Sequence, residues 1–216
     1  QDEMQVVEHP ILGAMKEALE AGGHDARTVE GQHPTPILIM GAERRCAVST
    51  EPNAAMGRPA GLYGNRFAAA PKEVVRQAVR PIVPATVTNL LAIAAPSGGY
   101  GEYEEHEIGG ILRTAYTGFS AARQLAGARV AIHTGFWGCG AFGGNRRLMA
   151  MLQLVAAQMA EIDLLVFHAF DAAGMRELAG ATETLASRFG DGEMPTSDFI
   201  AATRDFGLRW GTSDGN

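Results

Sequence analysis

The feature that most constrains the fold is a glycine-rich stretch, residues 135–144, which lies between a strand pattern and a helix pattern. The short apolar run at residues 129–133 predicts a buried strand. Apolar residues then recur at helical spacing over residues 148–159, with Asn145 placed to cap the helix. A second buried strand is predicted at residues 164–167. A strand, a glycine loop, a helix and a strand in this order indicate an α/β fold.

The glycine stretch has the properties of a phosphate-binding loop. Its five glycines allow backbone N–H groups to turn towards a ligand, and the helix that follows directs the positive end of its dipole to the same place. Arg146 and Arg147 in the first helical turn oppose that dipole unless an anion lies between them. The stretch also carries Phe136, Trp137 and Phe142, which are costly to expose and are expected to stack on a ring or a sugar. Glycine loops are weak motifs alone, so a tight turn without a ligand is an equal alternative.

Residues 134–145 read Thr-Gly-Phe-Trp-Gly-Cys-Gly-Ala-Phe-Gly-Gly-Asn, and this segment resembles the TG-x-WGCGAFGG signature of the poly(ADP-ribose) glycohydrolases, a branch of the macrodomain fold. In that family the loop wraps the diphosphate and the terminal ribose of ADP-ribose. The resemblance implies that Phe142 packs on the distal ribose, and that the ligand is bound by Gly135, Phe136, Trp137, Gly138, Cys139, Gly140, Ala141, Phe142 and Gly143. Many family members have Asn where this chain has Phe136, which leaves the natural substrate open.

A second resemblance lies at the amino terminus. Gln1, Asp2 and Glu3 are similar to the QEE motif of the glycohydrolases, with Asp2 in place of the usual first Glu. The resemblance implies that Glu3 is the catalytic carboxyl. From composition alone, two acids here would be read as the start of a helix. The resemblance also places the first residue inside the active-site signature, so we expect a missing N-terminal segment or a second chain to complete the fold.

The resemblance extends along the chain. Residues 112–119 match the family's L-x-x-A-Y-x-G-F, residues 41–43 match a strand end, and residues 194–210 resemble its closing helix. The family's adenine-stacking tyrosine has Tyr63 or Phe67 as its nearest counterpart, although an exposed loop aromatic needs no ligand to explain it. The expected fold is a three-layer α/β/α macrodomain-like mixed sheet without the usual N-terminal strands, and its strands include residues 37–40, 87–94, 129–133 and 164–167.

Periodicity predicts the remaining elements. Helices are expected at residues 11–19, 102–119 and 175–189, and another begins near residues 195–198. The first of them should end at the glycine pair Gly22 and Gly23. Further predictions are a loop at 24–36, an irregular segment at 49–71 and an unassigned stretch at 74–79.

Composition limits the class of protein. With 216 residues and 46% hydrophobic residues, the chain can bury one core, and residues 1–216 are expected to form a single domain. The net charge of −6 argues against direct nucleic-acid binding, and no apolar stretch has membrane-spanning length. Two cysteines, Cys46 and Cys139, suggest a reducing compartment, and we expect a cytoplasmic location. Cys139 is expected to be a small buried residue and not a nucleophile.

The expected reaction is hydrolysis of the glycosidic bond of ADP-ribose polymers or conjugates. Glu3 would protonate the leaving oxygen and then activate water, and Asp2 would orient the substrate or its neighbour. No metal or redox cofactor is required, and the acidic residues at 102–107 are read as a solvated helix face. The expected partners are ADP-ribose and poly(ADP-ribose), including chains carried by modified proteins. Two alternatives stay open: a module that binds ADP-ribose without cleaving it, and a glycohydrolase of a small nucleotide-linked metabolite.

Overall fold

The computed structural model describes residues 2–190 and 192–215, without the side chains of Asp2 and Glu3. In chain order the elements are α1 (Asp2–Glu8), α2 (Ile11–Ala21), β1 (Val29–Glu30), β2 (His33–Pro34), β3 (Ile37–Val48), a short 3₁₀ helix (Ala54–Met56), α3 (Asn65–Ala69), α4 (Lys72–Ala78), β4 (Val79–Ala92), α5 (Glu105–Ala126), β5 (Ala131–Gly135), α6 (Arg146–Met159), β6 (Leu164–His168), α7 (Ala172–Arg188) and α8 (Thr196–Arg204). The described residues form two compact units. The first comprises the residues up to Ala26 and Leu38–Leu91, and the second comprises Arg27–Ile37 and Ala92–Gly215.

The first unit is built on the pairing of β3 with β4. The Ser49 N–H donates to the Ala78 carbonyl at 2.9 Å, and the Gly41 N–H donates to the Asn89 side chain at 2.9 Å, so the two strands run antiparallel. Both strands are longer than the sequence predicts, because the pattern identified only their apolar ends, at 37–40 and 87–94. The prolines and polar residues of β4 concealed the rest.

Glu8, the last residue of α1, ties this helix to β3. Its carboxylate accepts a hydrogen bond from the Val48 N–H at 2.8 Å and forms an ion pair with Arg44 at 2.8 Å. The Glu8 side chain is only 11% exposed, so the carboxylate exchanges water for these two partners. Glu8 therefore fixes the position of the helix whose backbone includes Asp2 and Glu3.

The second unit has α6 at its centre. Leu148, Met149, Ala150, Met151 and Leu152 are all fully buried in this helix, which packs against α5 and α7. The strands β5 and β6 pair in parallel, from Ala131 opposite Leu164 to Gly135 opposite His168. Parallel strands need a crossover connection, and α6 supplies it. The β5–α6–β6 order is the strand, glycine loop, helix and strand that the sequence predicts.

Most predicted elements are confirmed, with shifted ends. The helices expected at 11–19, 102–119 and 175–189 are α2, α5 and α7, and the C-terminal helix is α8. The unassigned stretch at 74–79 is the end of α4 and the first residue of β4. All four predicted strand segments are strands, but among the described residues they pair as separate two-stranded sheets. The three-layer arrangement and the single domain therefore stay predictions.

No helix in the described part of the chain combines the length and the apolar character needed to cross a bilayer.

Candidate functional site

The glycine loop is a compact turn held by its own backbone. N–H groups of the loop donate to loop carbonyls from Trp137 to Gly135 at 2.8 Å, from Gly143 to Gly140 at 3.0 Å and from Gly144 to Gly138 at 2.9 Å. Gly138 and Gly143 have positive φ angles of 74° and 65°, which residues other than glycine rarely adopt. The loop conformation is therefore encoded locally by these glycines.

The start of α6 is fixed to the rest of the second unit through Asn145. Its side-chain oxygen accepts a hydrogen bond from the Leu148 N–H at 3.1 Å, which confirms the predicted cap. Its backbone N–H donates to the Tyr103 hydroxyl at 2.9 Å, and its side-chain amide donates to the Arg209 carbonyl at 3.1 Å. Burial raises the pKa of Tyr103 above its ordinary value, so the hydroxyl stays neutral and accepts this bond.

Three consecutive N–H groups of the loop are available for a ligand. Those of Gly140, Ala141 and Phe142 have no hydrogen-bond partner among the described residues, and Ala141 and Phe142 are exposed. They lie in the segment that leads into α6, four to six residues before Arg146. Unpaired backbone N–H groups and a helix N-terminus are both features that bind anions.

The three loop aromatics have different surroundings. Phe136 packs inward against Phe167, with ring centroids 5.0 Å apart, and belongs to the side chains around the buried cluster of α6 and α7. The Trp137 indole N–H is buried without a hydrogen-bond partner among the described residues. Phe142 is 45% exposed. Of the three, Phe142 is the one whose ring is open to a sugar, whereas Phe136 already has a protein ring beside it.

The two arginines of the first α6 turn have anions of the protein itself as partners. Arg146 pairs with Asp171 at 3.4 Å, and Arg147 pairs with Glu177 at 3.0 Å. The Gly174 N–H, which donates to Asp171 at 2.6 Å, and the nearby Arg146 guanidinium hold the pKa of Asp171 below its usual range. These carboxylates explain the positive charge at a helix N-terminus without a bound phosphate.

Gly143 is buried and faces the C-terminal segment. A Cβ there would lie 2.8 Å from the Gly211 carbonyl oxygen, and the Gly211 N–H donates to the Gly143 carbonyl at 2.7 Å. The family resemblance implies that Gly143 binds the ligand. A bulky side chain at Gly143 would collide with the chain at Gly211, so a substitution at this position would first test packing.

Burial raises the pKa of the Cys139 thiol to about 12, although the Arg146 charge acts in the opposite direction. Its Sγ lies 3.7 Å from the Trp137 carbonyl. A thiol with such a pKa is almost entirely protonated near neutral pH. Cys139 is only partly buried, and its expected lack of a nucleophilic role stays a prediction.

Several residues that support the loop were missed by the sequence patterns. Gln153, fully buried in α6, donates to the Gly135 carbonyl at 2.9 Å and accepts from the Thr134 hydroxyl at 2.5 Å. Trp210 stacks on Tyr103, with centroids 4.3 Å apart. Gln153 could have been identified from the sequence, because it is a polar residue on the predicted buried face of α6. Trp210 could not, because its partner Tyr103 lies far away in the sequence.

The acidic residues at 102–107 cap the start of α5 and bind the C-terminal segment. Glu104 and Glu107 form a capping box, and Glu107 also accepts a hydrogen bond from the Trp210 indole at 3.2 Å. Glu102 pairs with Arg209 at 3.1 Å. Within the described residues there is no group of three side chains that could hold a metal ion.

The remaining predicted site residues lie in the first unit. Tyr63 is 38% exposed and precedes α3, in which Phe67 lies. The backbone of α1 includes Asp2 and Glu3, but their side chains, and with them the predicted catalytic carboxyl, lie outside the described part of the chain. Their roles stay predictions.

Comparison with protein families identifies the chain. Residues 37–177 match the family model described as poly(ADP-ribose) glycohydrolase, macro domain fold. The matched region contains the glycine loop, α6 and β6, and it begins after Asp2 and Glu3. It spans more than half of the 216 residues. The chain therefore belongs to the poly(ADP-ribose) glycohydrolase family, whose glycosidases act on ADP-ribose polymers, and it has the macro domain fold.

Proposed function

We propose that this protein hydrolyses the glycosidic bond of ADP-ribose polymers or ADP-ribose conjugates and releases ADP-ribose. The observation that carries the proposal is the row of N–H groups at Gly140, Ala141 and Phe142, which have no partner among the described residues and lie four to six residues before Arg146, the first residue of α6. A diphosphate supplies the charge and the acceptor oxygens that such a row recognises. Family membership identifies ADP-ribose as the diphosphate compound to test first.

The exposed ring of Phe142 would position the sugar. Phe142 carries the last of the three unpaired N–H groups, so a ligand whose diphosphate occupies these groups would bring a ribose close to this ring. Contact between an aromatic face and the apolar face of a sugar restricts the orientation of the sugar at small cost. Orientation of the reacting sugar towards the acid is one of the larger sources of rate enhancement.

The proposed acid is Glu3. Cleavage passes through an oxocarbenium-like state, in which the leaving oxygen needs a proton as the bond breaks. Glu3 would donate that proton and then accept one from the attacking water, and Asp2 would orient its neighbour. Two adjacent acids repel as anions, which favours the protonated form of one of them. The anchoring of α1 through Glu8 supports a fixed position for this helix.

The test uses polymer carried by an automodified protein and measures free ADP-ribose. We expect the wild type to release ADP-ribose. Glu3→Gln should release it about 10²- to 10⁴-fold more slowly, with the affinity for ADP-ribose unchanged. Asp2→Asn should cost less than Glu3→Gln. Glu17→Gln, on the exposed face of α2, is the matched control and should be neutral.

Each other result changes the proposal in a defined way. Full activity of Glu3→Gln would remove Glu3 from the acid's role. Binding of ADP-ribose without release by the wild type would favour the binding module, and release only from a soluble nucleotide-linked metabolite would favour the small-molecule glycohydrolase. Phe142→Ala should weaken binding, whereas Tyr100→Ala, which removes another exposed ring in the same unit, should not.

A further inference from the structure

Two histidines meet at the carboxyl ends of β5 and β6. The Nδ1 atom of His133 lies 3.0 Å from the Nε2 atom of His168, and the two rings are stacked with centroids 5.3 Å apart. Both residues are exposed. Neither imidazole has another hydrogen-bond or ion-pair partner among the described residues, so the pair serves no evident packing or capping purpose.

The strand register brings these residues together. His133 is opposite Val166, and Gly135 is opposite His168, so the two histidines are diagonal neighbours on the same face of the β5–β6 pair. The alternate residues Thr134 and Phe167 face the helices, where Thr134 bonds to Gln153 and Phe167 packs on Phe136. Because strand side chains alternate, both imidazoles must point away from α6.

We propose that His133 and His168 form a two-imidazole site for a divalent transition-metal ion of the Ni²⁺ or Cu²⁺ class. Neutral imidazole is a good ligand for these ions. With metal–nitrogen bonds of about 2.0–2.1 Å, two nitrogens 3.0 Å apart subtend about 95° at the metal. That angle suits neighbouring positions of a square-planar or octahedral ion, whereas a tetrahedral ion needs a wider separation. Water completes the coordination.

Binding requires a change of tautomer and no loss of a ligand atom. In the free pair one ring nitrogen carries the proton that the other accepts. In the metal complex His133 coordinates through Nδ1 and carries its proton on Nε2, and His168 coordinates through Nε2 and carries its proton on Nδ1. The metal therefore takes the place of the proton between the two nitrogens, and both rings stay neutral. The rings are exposed, so they can make the small rotation that metal binding needs.

The site would join the ends of two strands next to the glycine loop. His133 lies two residues before that loop, and His168 lies three residues before Asp171, which caps α7. A metal bridge here links the segments that lead into both helices. Metal binding to the native pair should therefore stabilise the second unit, since the unfolded chain does not hold the two rings together.

The test is a calorimetric titration of the untagged protein with NiCl₂. We expect one Ni²⁺ per chain, and an affinity about 10²-fold lower in both His133→Gln and His168→Gln, because each variant retains a single imidazole. His106→Gln, which removes another exposed histidine, on α5, is the matched control and should leave the affinity unchanged. Copper-loaded protein should show two coordinated imidazole nitrogens by electron paramagnetic resonance in the wild type, and one in either variant.

The contrary outcomes are equally defined. The proposal is overturned if the wild type takes up no Ni²⁺ at a single site, or if either variant binds as tightly as the wild type. It also fails if His106→Gln loses as much affinity as the two paired positions. Far-UV circular dichroism of each variant checks the fold, and because two independent positions are changed, a folding defect in one leaves the other to decide.

Discussion

Cys139 lies in the centre of the glycine loop, where a thiol could act as a nucleophile. Its pKa of about 12 leaves on the order of one molecule in 10⁴ as thiolate at pH 8. We therefore expect Cys139→Ala to retain glycohydrolase activity within about threefold. A loss on the scale of removing an essential catalytic group, about 10²-fold or more, would contradict this interpretation. Activity on automodified polymer is the measurement, and Cys46→Ala is the matched control.

The same pKa predicts how stability depends on pH. The thiol ionises near its ordinary value of 9.0 in the unfolded chain and only near 12 in the native state. The contribution of the protonated thiol to the free energy of unfolding is therefore fully present below pH 9. It is lost progressively as the pH rises towards 12, because over this range the thiol ionises in the unfolded chain before it does so in the native state. Urea unfolding of Cys139→Ala should show a smaller alkaline loss of stability than the wild type. Equal losses in both proteins would mean that the native thiol ionises normally.

Gly143 combines a positive φ with a tight contact at Gly211. Gly143→Ala should lower the free energy of unfolding by about 1–3 kcal/mol, from backbone strain alone, with the contact adding to it. Gly110→Ala is the control, because that α5 glycine has no atom within 4 Å of an added Cβ. Alanine there should be neutral or stabilising by up to about 1 kcal/mol. Equal effects of the two substitutions on the urea midpoint would contradict the prediction.

The sequence predicted the contacts between residues that are close in the chain and missed the contacts between distant ones. The Asn145 cap involves atoms three residues apart, so the local pattern was enough. Gly143 was assigned only to ligand binding. Its contact with Gly211 was missed, because Gly211 is distant in the chain and no local pattern reports it. The partners of Arg146 and Arg147, which are the N-cap of α7 and a residue within α7, were missed for the same reason.

At the scale of elements, the C-terminal segment after α8 acts as a brace for the glycine loop. The Trp210 ring stacks on Tyr103, and its indole N–H donates to the Glu107 carboxylate. The Tyr103 hydroxyl accepts a hydrogen bond from the backbone N–H of Asn145, the N-cap of α6. Trp210→Ala should therefore cost about 2–4 kcal/mol of stability and also weaken ADP-ribose binding. Tyr100→Ala, which removes a ring that is 98% exposed, should do neither.

The measurements for this brace are urea unfolding and calorimetric binding of ADP-ribose. A double-mutant cycle with Tyr103→Phe tests whether the hydroxyl and the indole act through one another, as the contacts imply. Unchanged binding by Trp210→Ala, together with lost stability, would show that the segment stabilises the unit without positioning the loop. Additive effects in the cycle would contradict the coupling.

Periodicity predicted the elements with uneven success. The helices were recognised because one buried stripe repeats along each of them, as in α6. The strands β3 and β4 were recognised only in part, since their burial does not alternate regularly and many of their positions are exposed, which leaves a weak apolar signal. Strand partners depend on contacts between distant segments, and no local pattern specified the separate pairings.

At the scale of the whole molecule, the net charge of −6 makes capture of a polyanion depend on local groups. In the proposed function the loop N–H groups serve this purpose, and they carry no net charge of their own. The sequence motif of the loop predicted the family, which the match over residues 37–177 confirms. The predicted acid at Glu3 lies outside that match and remains to be tested by substitution.

Residues 1–216 are expected to unfold as one cooperative domain, although the described residues form two compact units. The chain is suited to the test, because both tryptophans, Trp137 and Trp210, lie in the second unit. Fluorescence therefore reports on that unit, whereas far-UV circular dichroism reports on all helices. One domain predicts coincident urea transitions by both probes.

Glu8→Gln makes that test sharper, because it alters only the first unit. Loss of the charge that Arg44 faces should cost about 1–3 kcal/mol, whereas the exposed control Glu17→Gln should be close to neutral. In a single cooperative domain a lesion in the first unit lowers the stability of every part, so the tryptophan transition must shift with the circular dichroism transition. A tryptophan transition that stays in place while the circular dichroism signal splits would show two independently unfolding domains, and the single-domain prediction would then be wrong.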